Sequence, residues 1–178
     1  FGAASADSPT SAFQAAWEGD PLAAFGGIVA LSQPLDVEVA QVICEGQRFI
    51  EVVVAPSISK AAIDLLSERW NNIRIVEVPD FHEPAPAVTE VRTIPGGLLA
   101  QLSDDKHAIP SQWTHAAGPP PTPAMLETGG IAWTCVKHAG SNAVTVARTH
   151  QLIGVGAGQV DRLTAAQLAI EKPGDRID

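Results

Sequence analysis

Phe49-Ile50-Glu51-Val52-Val53-Val54, bounded by Gly46 and Pro56, is the stretch on which the fold turns. A β-branched run without polar alternation predicts a strand covered on both faces, as in a parallel sheet held between helices. Upstream, Asp36 is placed to cap a helix whose apolar stripe is Val39, Ala40 and Ile43. Before that, Ile28-Val29-Ala30-Leu31 predicts another strand. Downstream, Ser59 starts a helix with Ala62, Ile63, Leu66 and Trp70 along one side, and Ile73 to Val78 is the next strand. This alternation predicts an α/β domain with a largely parallel sheet. The expectation is one mixed sheet with helices on both faces, residues 49–54 and 73–78 being interior strands.

The flanking segments follow the same punctuation. Ser8-Pro9 opens a helix carrying Phe13, Ala16 and Trp17, which ends near Gly19-Asp20-Pro21. Prolines from Pro79 to Pro86 mark a loop. Val88 to Thr93 and Gly97 to Gln101 are short strands joined by a Pro95-Gly96 turn. Residues 103–121 are polar and end in Gly118-Pro119-Pro120-Pro121, which reads as a stiff connection, not a packed element. Thr122-Pro123 restarts a helix toward His138, and Gly129-Gly130 inside it signals a kink or a close backbone contact. Ala143–Ala147 and Leu152–Val155 form a hairpin-like pair, and Asp161 caps the last helix.

Composition bounds the chemistry. The 178 residues carry 11 Lys and Arg against 20 Asp and Glu, a net charge of −9, which argues against a general binder of a nucleic-acid backbone. A small phosphorylated ligand needs only local donors and stays open. At 46 % hydrophobic and 17 % charged the chain is a folding sequence, and no run is long and apolar enough to span a membrane. Cys44 and Cys135 show no disulfide-scaffold spacing, which points to a reducing cytosol.

Several constellations have both a chemical and a plain structural reading. His82, His107, His115, His138 and His150 form no HExxH and pair with no CxxC, so a zinc site has no motif. No G-x-S-x-G nucleophile elbow occurs. Gly154-Val155-Gly156-Ala157-Gly158 resembles part of a dinucleotide loop, but Gln159 stands at the third glycine position. The alternative is that these glycines let a strand and a helix pack closely. Ala23-Ala24-Phe25-Gly26-Gly27 forms a small-residue loop that either admits a planar ligand, with Phe25 stacking on it, or simply turns. Glu51 interrupts an apolar strand, which implies either a paired functional carboxylate or an exposed edge. Lys137, His138, Ser141 and Asn142 cluster after a helix, where Asn142 either holds a reacting group or ends the helix with Gly140.

Taken in order, Asp20-Pro-Leu-Ala-Ala-Phe-Gly-Gly-Ile-Val-Ala, Phe49-Ile-Glu-Val-Val-Val-Ala-Pro56, Gly96-Gly-Leu-Leu-Ala-Gln101, Val136-Lys-His-Ala-Gly-Ser-Asn-Ala-Val144 and Ile153-Gly-Val-Gly-Ala-Gly-Gln159 closely resemble the transformylase part of the AICAR transformylase/IMP cyclohydrolase family. The resemblance runs roughly from Phe1 to Lys172. It implies a cytidine-deaminase-like three-layer α/β/α fold, with residues 1–178 forming a single, partial AICAR-transformylase-like domain and the cyclohydrolase domain absent. It implies formyl transfer from 10-formyltetrahydrofolate, as co-substrate, to the 5-amino group of AICAR, with no metal required. The alternative function is a non-catalytic remnant serving as a binding or assembly module. The implied setting is a cytoplasmic homodimer whose site is shared between subunits, with neither nucleic acid nor membrane as partner.

Residue by residue, the resemblance makes Asn142 the catalytic amide that positions the carboxamide and the formyl centre. Phe25 and Gly26 become the loop beside imidazole and folate, Glu51 the acceptor for the nucleotide's amino or amide group, and Arg162 the cation facing the folate. These five are expected to converge on one cleft. The family's Lys-His pair, whose histidine is the expected general base, belongs immediately before Phe1-Gly2-Ala3. Gly129-Gly130 replaces larger apolar residues of the family pattern.

Overall fold

The computed structural model describes residues 1–79 and 88–177. The loop expected from Pro79 to Pro86 therefore lies, beyond Pro79, outside the described residues. Chain order is α1 (Pro9–Gly19), α2 (Pro21–Ala24), β1 (Gly27–Ala30), α3 (Val37–Cys44), β2 (Ile50–Ala55), α4 (Lys60–Arg69) and β3 (Arg74–Glu77), then β4 (Thr89–Ile94), β5 (Gly97–Leu102), α5 (Pro123–Lys137), β6 (Val144–Arg148), β7 (Gln151–Gly156) and α6 (Arg162–Glu171). The predicted caps at Ser8, Asp36, Ser59 and Asp161 are made, and Thr122 caps the helix that restarts there. Ser8, Asp36, Ser59, Thr122 and Asp161 all accept a backbone N–H from the first turn of their helices. Asp20 caps α2, a single turn whose last two residues, Ala23 and Ala24, lie in the span read as loop.

The mixed α/β character holds, with β1, β2 and β3 forming a parallel sheet in sequential order. The single mixed sheet does not: the described strands form three sheets, the other two being the antiparallel pairs β4–β5 and β6–β7. β2 is interior, but β3 is an edge strand. Both crossovers of β1–α3–β2–α4–β3 share one hand, so α3 and α4 fall on the same side. Val39, Ala40, Ile43, Ala62 and Leu66 pack there with Val53 and Ala55, all nearly inaccessible. The opposite face, with Ile28 at 69 % and Val76 at 42 % exposure, has no helix on it among the described residues. The expectation of helices on both faces fails for this reason.

The second core surrounds β7. Ala3–Ser5 runs antiparallel to β7, with Leu152 N–H donating to the Ala3 carbonyl at 2.8 Å and Ser5 N–H to the His150 carbonyl at 2.9 Å. The β6–β7 turn places Thr149 and His150 at φ 47° and 62°, the two positive values a tight hairpin with the twist of its strands demands. α6 lies on β7 through Ala165 and Ala169. Near the end of the chain, Arg176 donates to the carbonyls of Glu18 (2.7 Å) and Gly19 (3.3 Å), and Lys172 pairs with Asp20, so the end of α1 is tied to the second core.

The segment 103–121 departs from its reading as a bare connection. Pro110–Gln112 forms a 3₁₀ turn that packs on α5. Trp113 stacks on Trp133 with ring centroids 5.8 Å apart. A Cβ on Gly129 would lie 3.0 Å from the Trp113 ring, and one on Gly130 would lie 3.1 Å from Pro110. The two glycines are thus a groove for this turn, which is the close contact their position signalled.

Candidate functional site

Phe25 and Gly26 sit at the amino-terminal entrance to β1. Gly26 adopts φ 71°, open to glycine at no steric cost, and its N–H donates to the Phe49 carbonyl at 2.8 Å. Phe25 tilts against Phe49 with centroids 5.5 Å apart yet stays 65 % exposed, leaving a ring available for stacking. Glu51 lies next to this pair. The β1–β2 register passes from Gly27↔Ile50 to Ile28↔Val52, so Glu51 is the extra residue of a β-bulge. Bulges re-aim a side chain and recur beside active sites. The carboxylate is exposed and 3.8 Å from Arg74. It is therefore a paired surface group on an interior strand, and the exposed-edge alternative fails.

This cluster occupies the amino-terminal ends of the parallel strands. Ligands of open α/β sheets more often sit at the carboxyl ends, so the general strand-end rule does not account for it.

Asn142 and Arg162 sit in the other core. Asn142 and Gln159 exchange backbone hydrogen bonds at 3.1 and 3.2 Å, and the Asn142 Nδ2 donates to the Gln159 carbonyl at 3.0 Å. Gly158 N–H donates to the Gly140 carbonyl at 2.6 Å, completing a clasp between the α5–β6 and β7–α6 connections. With Nδ2 engaged, Oδ1 of Asn142 is the amide atom left to accept from a ligand. Gln159 was legible only as a missing glycine; its role as the group that orients Asn142 had no sequence signal. Arg162 opens α6 as an exposed side chain. The helix dipole disfavours a cation there, so helix stability does not explain it. Asp161 beside it is held below the ordinary carboxylate range by hydrogen bonds from the Thr164 N–H and hydroxyl.

No hydrogen bond or ion pair among the described residues joins the Phe25–Glu51 cluster to the Asn142–Arg162 cluster. A cleft of about 690 Å³ opens elsewhere, between Ala3–Asp7 and α5, lined also by Glu127, Cys135 and His150; it includes none of the five. His150 Nε2 lies 3.5 Å from Glu127. Burial raises the thiol pKa of both Cys44 and Cys135, keeping them protonated and poor nucleophiles. No group of three or more His, Cys, Asp or Glu among the described residues is arranged to hold a metal ion.

Gly154 and Gly156 are strand residues, not a ligand loop. A Cβ at either would lie 2.0 Å from a carbonyl oxygen of α6, Ala169 or Ala165 respectively. The helix backbone fills the space a phosphate would need, and the dinucleotide reading fails.

The family model described as AICARFT/IMPCHase bienzyme matches residues 1–172. Three similar proteins carry the name bifunctional purine biosynthesis protein PurH. That of Rhodopirellula baltica is 36 % identical over 99 % of this chain, that of Oceanobacillus iheyensis 37 % over 97 %, and that of Gloeothece citriformis 39 % over 92 %. The match spans 34 %, 33 % and 31 % of their respective lengths, about a third of each relative.

Proposed function

The chain belongs to the AICARFT/IMPCHase bienzyme family, and from that membership we propose that it contributes to purine biosynthesis by formyl transfer from 10-formyltetrahydrofolate to the 5-amino group of AICAR. The observation that carries this reading is the Asn142–Gln159 clasp, which holds a carboxamide in one orientation, its oxygen accepting from no donor among the described residues. The attacking amine is conjugated and weakly nucleophilic, so orientation against the formyl carbon supplies much of the catalysis. In this reading Asn142 fixes the carboxamide and formyl group, Phe25 and Gly26 border imidazole and folate, Glu51 accepts from the nucleotide, and Arg162 faces the anionic folate. Their convergence across the two cores, in a cytidine-deaminase-like three-layer arrangement and a cytoplasmic homodimer, belongs to the same proposal. The reaction draws on no metal, and a general base beyond these five completes it.

The test is an AICAR-dependent formyl-transfer assay on the chain and on Asn142→Ala, with circular dichroism as the folding control. The expected loss is more than about tenfold in rate, or about 1.4 kcal/mol of transition-state stabilisation. An unchanged rate removes Asn142 from the mechanism. AICAR binding without turnover in the unmodified chain supports the second reading, a binding or assembly module. The wholly exposed β4–β5 hairpin favours that reading.

A further inference from the structure

The cleft of about 690 Å³ between Ala3–Asp7 and α5 includes none of the five site residues. Neighbouring residues of an extended chain face opposite sides, so a cleft lined by all of Ala3, Ala4, Ser5, Ala6 and Asp7 runs along the edge of that segment. Its inner edge is already paired. The Ala3 carbonyl accepts from the Leu152 N–H, and the Ser5 N–H donates to the His150 carbonyl. Ala4 therefore faces Gln151 as a non-hydrogen-bonded pair, its own N–H and C=O turned to the outer edge. Neither Ala4 nor Ala6 makes a backbone hydrogen bond among the described residues. Ala4 is half-buried, where such groups are ordinarily paired.

The opposite wall is a single face of α5. Glu127, Gly130, Ile131, Thr134 and Cys135 recur there at spacings of three and four. A free sheet edge beside a helix is a geometry in which an extended peptide binds by adding a strand. Residues 3–7 span about 16 Å when extended, room for a peptide of about five residues.

Charge narrows the occupant. Asp7 and Glu127 line the cleft, and no Lys or Arg does. The Thr134 hydroxyl donates to the Gly130 carbonyl at 2.9 Å, so it meets a ligand as an acceptor. This set favours Lys or Arg side chains and disfavours acidic ones or a free C-terminal carboxylate. The Ala side chains, Pro110 and Ile131 offer apolar contact for aliphatic residues between the cations.

We propose that this cleft binds an extended basic peptide, which adds a strand at the outer edge of Ala4 and sets its cations against Glu127 and Asp7. The inference is independent of the formyl-transfer reading, since the cleft shares no residue with that site.

NMR titration of the isotope-labelled 178-residue chain with acetyl-Val-Lys-Val-Lys-Val-amide tests it. Saturable shifts should appear at residues 3–7 and along α5 from Glu127 to Cys135, and hydrogen exchange of the Ala4 N–H should slow by about tenfold. The same peptide N-methylated at its three central amides keeps its charge but loses its strand donors, and should bind about tenfold more weakly. Glu127→Gln should weaken the parent peptide by about fivefold, whereas Glu68→Gln on the exposed side of α4 should leave it unchanged. Replacing both lysines of the peptide by glutamate should abolish binding. No saturable binding at millimolar peptide, equal binding of the N-methylated peptide, or equal weakening by Glu68→Gln each overturn the proposal. If Glu127→Gln fails to fold by circular dichroism, Asp7→Asn takes its place with the same expected loss.

Discussion

Gly154 on β7 and Ala169 on α6 meet so closely that a Cβ on the glycine would lie 2.0 Å from the alanine's carbonyl oxygen. One turn earlier, Gly156 meets the Ala165 carbonyl at the same 2.0 Å. Glycines two apart on a strand thus match alanines four apart on a helix, both repeats falling on a single face.

Gly154→Ala should therefore be among the most destabilising single-methyl changes in the chain. The clash is with helix backbone, which has no rotamer to move, so the loss should reach about 3 kcal/mol in urea unfolding. Gly158→Ala, at φ 66° with nothing within 4 Å of its added Cβ, should cost only about 1 kcal/mol of backbone strain. Equal losses at the two positions would undo the packing account.

The Asp20–Lys172 pair should show in the acid limb of stability. Partial burial raises the Asp20 pKa, but the Lys172 hydrogen bond and the Ala23 N–H outweigh it and hold the group below its ordinary 3.8. The stabilisation is then fully present above the unfolded value and fades as pH falls through the lower folded value. Lys172→Met should flatten that decline and cost about 1 kcal/mol or less at neutral pH, because the lysine side chain is still 43 % exposed to solvent. An acid limb of unchanged slope would remove the pair from the pH dependence.

Gly130→Val should release the Pro110 turn from α5. The segment 103–121 is otherwise held by the Trp113–Trp133 contact and by Lys137, which donates to the Lys106 carbonyl and faces Asp104, so its cleavage by a dilute protease should quicken by several-fold while the cores stay folded. Unaltered cleavage would mean that the segment is held by something other than the glycine groove.

Glu51 and Arg74 separate stability from ligand chemistry. Arg74→Ala should change unfolding free energy by less than about 0.5 kcal/mol, since both side chains are more than half exposed. Glu51→Gln should be equally silent in stability but should weaken AICAR binding measured by titration calorimetry. A large stability loss would make the bulge pair structural and take Glu51 out of the nucleotide site.

The sequence by itself determined the elements and the family. Ser8, Asp36, Ser59, Thr122 and Asp161 mark helix starts because a side-chain oxygen three residues ahead of an orphan N–H is a local interaction, independent of the rest of the fold. The Pro95-Gly96 turn was equally legible, since proline and glycine carry its backbone angles, glycine at φ 84°. What the strands pair with was not local. Val52 and Val53 state that a surface is apolar, but not whether a helix covers it, and α3 and α4 reach only one face. Glu51 read as an intruder in a buried strand; a one-residue slip against Gly27–Ile28, decided by the neighbouring strand, carries it out to Arg74. Asn142 likewise finds its partner 17 positions away in Gln159. Caps and turns are set by neighbours in the chain, whereas register, layer coverage and the orientation of the Asn142 amide depend on contacts between distant segments that only the folded chain brings within hydrogen-bonding range.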